Sequence, residues 1–188
     1  MTALLLSFGV IFVAELGDKS QLMALAFATR YPAIPVLIGI TLATGLVHAI
    51  SVAVGAAVGA AIPTTVITVA ASIAFVGFGI WTLRGDELSD DDEQRAARPA
   101  RHVVLAVGGA FFLAELGDKT MLATITLATT EGMLGTWLGS TLGMVAADAV
   151  AIVVGQQLGA RLPDRVVRIG AALLFFAFAA ALLYEALS

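Results

Sequence analysis

Ala14-Glu15-Leu16-Gly17-Asp18-Lys19 returns, unchanged and without a gap, as Ala114-Glu115-Leu116-Gly117-Asp118-Lys119. The offset of 100 residues holds well beyond the hexapeptide. Ala28-Thr29 pairs with Ala128-Thr129, Gly39 with Gly139, Thr41-Leu42 with Thr141-Leu142, Gly55 with Gly155, Gly59-Ala60 with Gly159-Ala160, and Pro63 with Pro163. Apolar composition produces chance coincidences of Ala, Leu and Val, but not an ungapped run of acids, lysines, glycines and a proline. The chain reads as a duplication.

The composition says where such a duplication resides. Of 188 residues 60% are hydrophobic and 13% charged, against roughly 45–50% and 25% in soluble domains. A membrane-spanning helix needs about 20 largely apolar residues, and six stretches qualify, at about 3–28, 34–60, 64–84, 103–128, 133–159 and 165–187. All five prolines (Pro32, Pro35, Pro63, Pro99, Pro163) fall between or at the ends of these stretches, so any interruption inside a helix is expected at glycine. The first stretch lacks a basic leader and carries Glu15, Asp18 and Lys19 near its middle, which a cleavable signal would not tolerate, so it is expected to be a mature span. Three spans per half is an odd number, so the second half must cross with the opposite orientation. The expected fold is an all-α integral membrane protein of six transmembrane helices in two inverted three-helix repeats, 1–84 and 102–188, joined by an acidic linker at 85–101.

Every arginine falls on one side of this plan: Arg30 after the first span, Arg84, Arg95, Arg98 and Arg101 after the third, Arg161, Arg165 and Arg168 after the fifth. Basic loops face the cytoplasm, so both termini are expected outside the plasma (inner) membrane. The acidic run Asp86-Glu87-Leu88-Ser89-Asp90-Asp91-Asp92-Glu93 is expected to be a solvated, disordered linker, rather than a cation-collecting antechamber. A net charge of −4 without a basic cluster excludes nucleic-acid binding. The absence of cysteine excludes disulfides and thiolate metal sites. No cofactor is called for, and a homo-oligomer is compatible with the pattern.

Once the charges in loops and at span ends are set aside, seven charged residues lie near the middle of the spans: Glu15, Asp18, Lys19, Glu115, Asp118, Lys119 and Asp148. Each costs about 2.5–3.5 kcal/mol at mid-membrane even on translocon scales, so they imply a function. On a continuous helix Glu15, Asp18 and Lys19 share one face. Two such faces, brought together by inverted symmetry, would gather four carboxylates and two ammonium groups around a central cavity. Carboxylate oxygens suit Mn²⁺, Ca²⁺ or Mg²⁺, and with only His48 and His102 in the chain zinc and copper fit poorly. The competing structural reading is that Glu15–Lys19 and Glu115–Lys119 are neutralised helix pairs, but these would leave Asp18 and Asp118 uncompensated. Ser20 and Thr120 could add hydroxyl ligands, or bond back to their own helices. Gly17 and Gly117 are expected mainly to pack, with opening of the helix as the alternative. Thr41, Thr44, His48 and Ser51 form a second polar stripe, and Asp148 stands where His48 stands in the first half. A His48–Asp148 proton relay, Asp148 as a fifth carboxylate, or hydrogen-bond glue between helices are the readings available there. Gly55/Gly59 and Gly155/Gly159 are expected to pack helices closely.

Glu-Leu-Gly-Asp-Lys-Ser at 15–20 and Glu-Leu-Gly-Asp-Lys-Thr at 115–120 resemble the duplicated Glu-x-Gly-Asp-(Lys/Arg)-(Ser/Thr) signature of the GDT family of manganese/calcium cation–proton exchangers. The resemblance covers essentially the whole chain. It implies exchange of Mn²⁺ or Ca²⁺ against protons, with Glu15, Asp18, Glu115 and Asp118 as metal ligands and Lys19, Ser20, Lys119, Thr120, His48 and Asp148 as accessory groups. Crowded carboxylates repel one another and hold protons until a metal displaces them, which is the minimum an antiporter requires. A passive cation channel is the runner-up, although lysines beside the acids count against it. An intramembrane aspartyl protease built on Asp18 and Asp118 leaves both glutamates and both lysines without roles.

Overall fold

The computed structural model describes residues 1–84, 90–97, 99–158 and 164–187. Within them the regular structure is helical: α1 (Thr2–Glu15), α2 (Lys19–Ala28), α3 (Ala33–Ala61), α4 (Thr64–Arg84), α5 (Asp90–Ala97), α6 (Val103–Glu115), α7 (Lys119–Thr130), α8 (Met133–Leu158) and α9 (Asp164–Leu187). Long runs of Ala, Leu, Val and Ile propagate these helices, and proline marks their entries. Pro32 and Pro63 directly precede α3 and α4, and Pro35 occupies the first turn of α3, where no intrahelical N–H bond is lost.

Three helices are long and apolar enough to cross a membrane, by length and composition: α3, α4 and Met133–Val154 of α8. Shorter apolar helices lie at Thr2–Glu15, Val103–Glu115 and Ile169–Tyr184. Along α3 the residues Ile34, Ile38, Leu42, Leu46, Ile50, Val54 and Val58 recur every four positions and are all exposed. A continuous apolar stripe of this length suits hydrocarbon rather than water.

The continuous helices expected at 3–28 and 103–128 are each broken. The first stops at Glu15 and restarts at Lys19, the second stops at Glu115 and restarts at Lys119. The cause is local. Gly17 and Gly117 have φ of 75° and 80°, a left-handed conformation that favours glycine and that a helix cannot contain. Nothing lies within 4 Å of a Cβ built on Gly117, so that glycine serves the turn and not the close packing expected of it.

Contacts between elements respect the 100-residue offset. α1 lies along α8 as α6 lies along α3, α2 touches α8 as α7 touches α3, and α4 packs on α9. Small residues allow the close approaches. Gly143 of α8 sits so near α1 that a Cβ would stand 2.6 Å from the Phe8 carbonyl oxygen, and on Gly59 of α3 it would stand 2.6 Å from that of Thr129 in α7. Gly55 likewise abuts Ile125 and Ala128, as expected for this pair, whereas Gly159 of the second pair lies outside the described residues. Between α4 and α9 the rings of Phe75, Phe78, Phe175 and Phe178 interlock at centroid separations of 5.7–5.9 Å.

The linker departs from the disordered segment expected. Asp86–Ser89 and Arg98 lie outside the described residues, but 90–97 form α5, which packs on α2 and α6 with Asp92 and Ala96 buried. Asp92 pairs with Arg95 at 3.1 Å. Four acids in its first turn also favour a helix here, because they complement the N-terminal end of the helix dipole.

Candidate metal-ion site

The two breaks face each other. The Lys19 ammonium lies 3.0 Å from Asp118, and Lys119 donates to Asp18, so each lysine reaches the aspartate of the other motif. Both aspartates occupy N-cap positions, of α2 and α7, yet neither makes a side-chain cap bond. A capping carboxylate normally takes its own helix's N–H groups; here the lysine of the opposite motif is the charged partner.

This pairing corrects the neutralised pairs considered above. Glu15 does not hold Lys19, nor Glu115 Lys119, and the aspartates are the compensated acids. The reason is the break itself: with the helix interrupted, positions 15 and 19 are no longer one turn apart on a single face. The glutamates instead accept hydroxyls from the restarted helices, Glu15 from Ser20 and Glu115 from Thr120 at 3.0 Å. Donation to the motif acid is neither of the two roles expected for these hydroxyls, metal ligand or a bond back to their own helices.

These groups are shielded apart from Lys19, 20% of whose side chain is accessible. Exposure is 0% for Glu15, 1% for Asp18 and Glu115, and 3% for Asp118 and Lys119. One oxygen each of Glu15 and Glu115 has no hydrogen-bond partner, and Asp148, at 0% exposure, has none at either oxygen. Asp148 interacts electrostatically with Glu15, Asp18 and Glu115, and Glu15 also with Glu115 and Asp118. Five carboxylates and two ammonium groups therefore act on one another in a dry interior. As they stand, no three His, Asp or Glu side chains among the described residues are arranged to hold a metal ion. Asp18 and Asp118 each have one oxygen on the ammonium group of the opposite motif.

The second stripe divides. Thr44 donates to Met144 Sδ at 3.4 Å across the two halves, which is interhelical glue. Thr41 is exposed and donates to the Leu37 carbonyl. His48 is buried, but its Nδ1 and both Asp148 oxygens lack partners. No hydrogen bond joins His48 to Asp148, so the relay is not formed; of the readings for Asp148, membership of the acid cluster is the one its surroundings favour.

One residue was missed in the sequence. Gln21 is 4% exposed; its Oε1 accepts the Gly17 N–H at 2.7 Å, and its Nε2 donates to the Ala147 carbonyl of α8 at 2.7 Å. A glutamine four residues after the motif glycine in an apolar helix was the signal available.

A family model described as the divalent cation/proton antiporter GDT1 matches residues 3–90 and 103–188. A Vibrio cholerae protein named "Putative manganese exporter" is 31% identical over 184 residues, covering 96% of this chain and 90% of that protein. The chloroplastic protein PAM71 of Arabidopsis thaliana is 30% identical over 206 residues, covering 95% of this chain and 56% of its own length. A GDT1-like protein of Synechocystis is 29% identical over 197 residues, covering 95% of each chain. No solved structure matches.

Proposed function

The chain belongs to the GDT1 family of divalent cation/proton antiporters, multi-pass membrane transporters, and from that premise we propose that it exports Mn²⁺, with Ca²⁺ as the alternative cargo, in exchange for protons. The observation that supports this most directly is the charge pattern of the buried cluster. Two aspartates hold two lysines, while Glu15, Glu115 and Asp148 form no salt bridge among the described residues. Five carboxylates against two ammonium groups leave three negative charges. Three bare charges cannot persist in a dry interior, so protons occupy those acids when metal is absent. A divalent ion supplies two positive charges and displaces protons from the same oxygens.

Glu15, Asp18, Glu115 and Asp118 are the proposed ligands, assisted by Ser20 and Thr120, with Asp148 as a further acid. An arriving ion must displace ammonium groups, and the crossed pairs make this a two-sided operation. Opening Lys19–Asp118 frees one aspartate, and opening Lys119–Asp18 frees the other. A carrier that opens one pair at a time exposes the site to one side at a time.

The proposed topology counts α1 with α2, and α6 with α7, as two broken spans, which with α3, α4, α8 and α9 makes six spans in two inverted repeats, 1–84 and 102–188. Discontinuous helices meeting at a buried ion site are a recurrent transporter plan. The linker 85–101 is placed in the cytoplasm and both termini outside the plasma membrane. In support, Arg30 donates to the Ala97 carbonyl at 2.5 Å and Tyr31 accepts from the Ala100 N–H at 2.8 Å, so the first loop and the linker share one side. Cysteines introduced at Ser89 and Ser188 should label from opposite sides; labelling from one side overturns the span count.

The deciding experiment is reconstitution into proteoliposomes, with Mn²⁺, Ca²⁺ and Mg²⁺ compared under an imposed pH gradient at clamped voltage. Metal flux accompanied by opposite proton movement is expected. Flux that neither moves protons nor responds to the gradient makes the protein a channel.

A further inference from the structure

The two motif loops are chemically identical through the lysine but are held differently, and the difference is built from three pairs of equivalent positions. In the first half Gln21 joins the Gly17 N–H to the Ala147 carbonyl of α8. In the second half the equivalent of Gln21 is Met121, whose sulfur accepts the Gly117 N–H at 3.2 Å. A thioether is a weak acceptor and no donor. The carbonyl it would need to reach, that of Val47 on α3, already accepts the Ser51 hydroxyl at 2.8 Å. On α8 the equivalent of Ser51 is Ala151, which leaves the Ala147 carbonyl open to Gln21. A helical carbonyl has one lone pair beyond its backbone bond, so the choices at positions 21/121 and 51/151 agree: one half has donor and vacant acceptor, the other has neither.

Exposure follows the same division. Leu16 and Gly17 are partly covered, whereas Leu116 and Gly117 are exposed. Lys19, which holds Asp118 beside the exposed loop, has 20% of its side chain accessible, against 3% for Lys119, which holds Asp18 beside the covered loop. Hydrogen bonding and exposure both mark one end of the site as fastened and the other as loose.

We infer that Gln21 is a positioning residue that fastens the first motif loop to α8, so that the carrier rests with its Asp18–Lys119 end closed and its Asp118–Lys19 end accessible. The inference deepens the transport reading above, but its test reads accessibility, so the two can fail separately. The chain has no cysteine, so a single cysteine at Leu16 or Leu116 reports each loop by its rate of reaction with a small thiol reagent in nanodiscs. In the otherwise native chain the cysteine at 116 should react faster. Gln21→Met, which makes the halves alike at this position, should raise labelling at 16 about fivefold, the population change expected from one neutral hydrogen bond, and leave 116 unchanged. A merely structural loss would raise both.

The reciprocal variant Met121→Gln with Ser51→Ala builds the missing donor and clears the missing acceptor. Labelling at 116 should then fall, and in proteoliposomes kcat for Mn²⁺ should fall several-fold with KM within about twofold, because a second fastening slows the conformational step rather than binding. Should Gln21→Met not fold, this reciprocal variant decides alone. Equal labelling of the two loops in the native chain, a parallel rise at both in Gln21→Met, or no change at 116 in the reciprocal variant overturns the inference.

Discussion

The charged centre and the aromatic seam between α4 and α9 are built on the same duplication, yet they treat it differently. In the seam Phe75 meets both Phe175 and Phe178, and Phe78 meets Phe175, so the same two residues recur at equivalent positions in each half. Packing there is a matter of shape, and two copies of one shape can satisfy each other. At the centre the motif acids and lysines are also duplicated, but their surroundings are not: Gln21 stands opposite Met121, Ser51 opposite Ala151, His48 opposite Asp148. A hydrogen bond needs a donor and an acceptor, and a buried charge needs a counter-charge or a proton. These demands are directional, and a carrier with two unequal states has reason to break symmetry where they apply and keep it where only volume matters.

The sharpest way to break the comparison is to remove the charge of a proposed ligand without changing its size. Glu15→Gln or Glu115→Gln should lower metal flux at least about 100-fold, the upper end of the loss seen when metal-site partners are removed, while the protein inserts and α4 still packs on α9. Proteoliposome flux checks the first part, and thermal unfolding in detergent the second. Near-normal flux would make the motif structural.

Next is the ion pair itself. Lys119→Met should destabilise the protein by about 3 kcal/mol, because it strands a buried carboxylate, and Lys19→Met should cost clearly less, since Lys19 is the more exposed partner. Thermal unfolding of both variants at neutral pH, with expression level as a second readout, tests the order. Equal losses would remove the asymmetry between the two ends.

In the seam, Phe75→Ala should cost about 3 kcal/mol, the low end for a buried phenylalanine. Flux per folded molecule should stay within a few-fold. The result that counts against the comparison is an unchanged melting temperature with lost transport.

The smallest effects concern protons. Flux should fall as pH is lowered on the metal-loading side, by at most about tenfold per pH unit for each proton displaced, because every retained proton removes a ligand oxygen. Asp148→Asn should flatten that profile while reducing maximal flux less than the glutamate variants do. A profile identical to that of the native protein would remove Asp148 from the exchange.

Much of this protein was legible in the chain. Hydrophobic content announces the membrane, the 100-residue offset announces two equivalent halves, and charged residues in apolar stretches announce the candidate site, because each of these properties is carried by residue type and order alone. Proline at the helix entries was readable for the same reason, since it acts on its own backbone. Three features needed the tertiary structure. That the helices open at Gly17 and Gly117 rather than pack there depends on whether the freed backbone groups find partners, which Gln21 and Met121 supply. That Lys19 holds Asp118 and Lys119 holds Asp18, rather than each lysine its own glutamate, depends on the halves meeting face to face, so that a partner 99 or 101 residues away is nearer than one four residues away. That His48 and Asp148 occupy matching positions without bonding follows from where α3 and α8 place them. Local propensity and composition act through neighbours in sequence, whereas charge compensation acts through distance in space, and only the folded chain sets that distance.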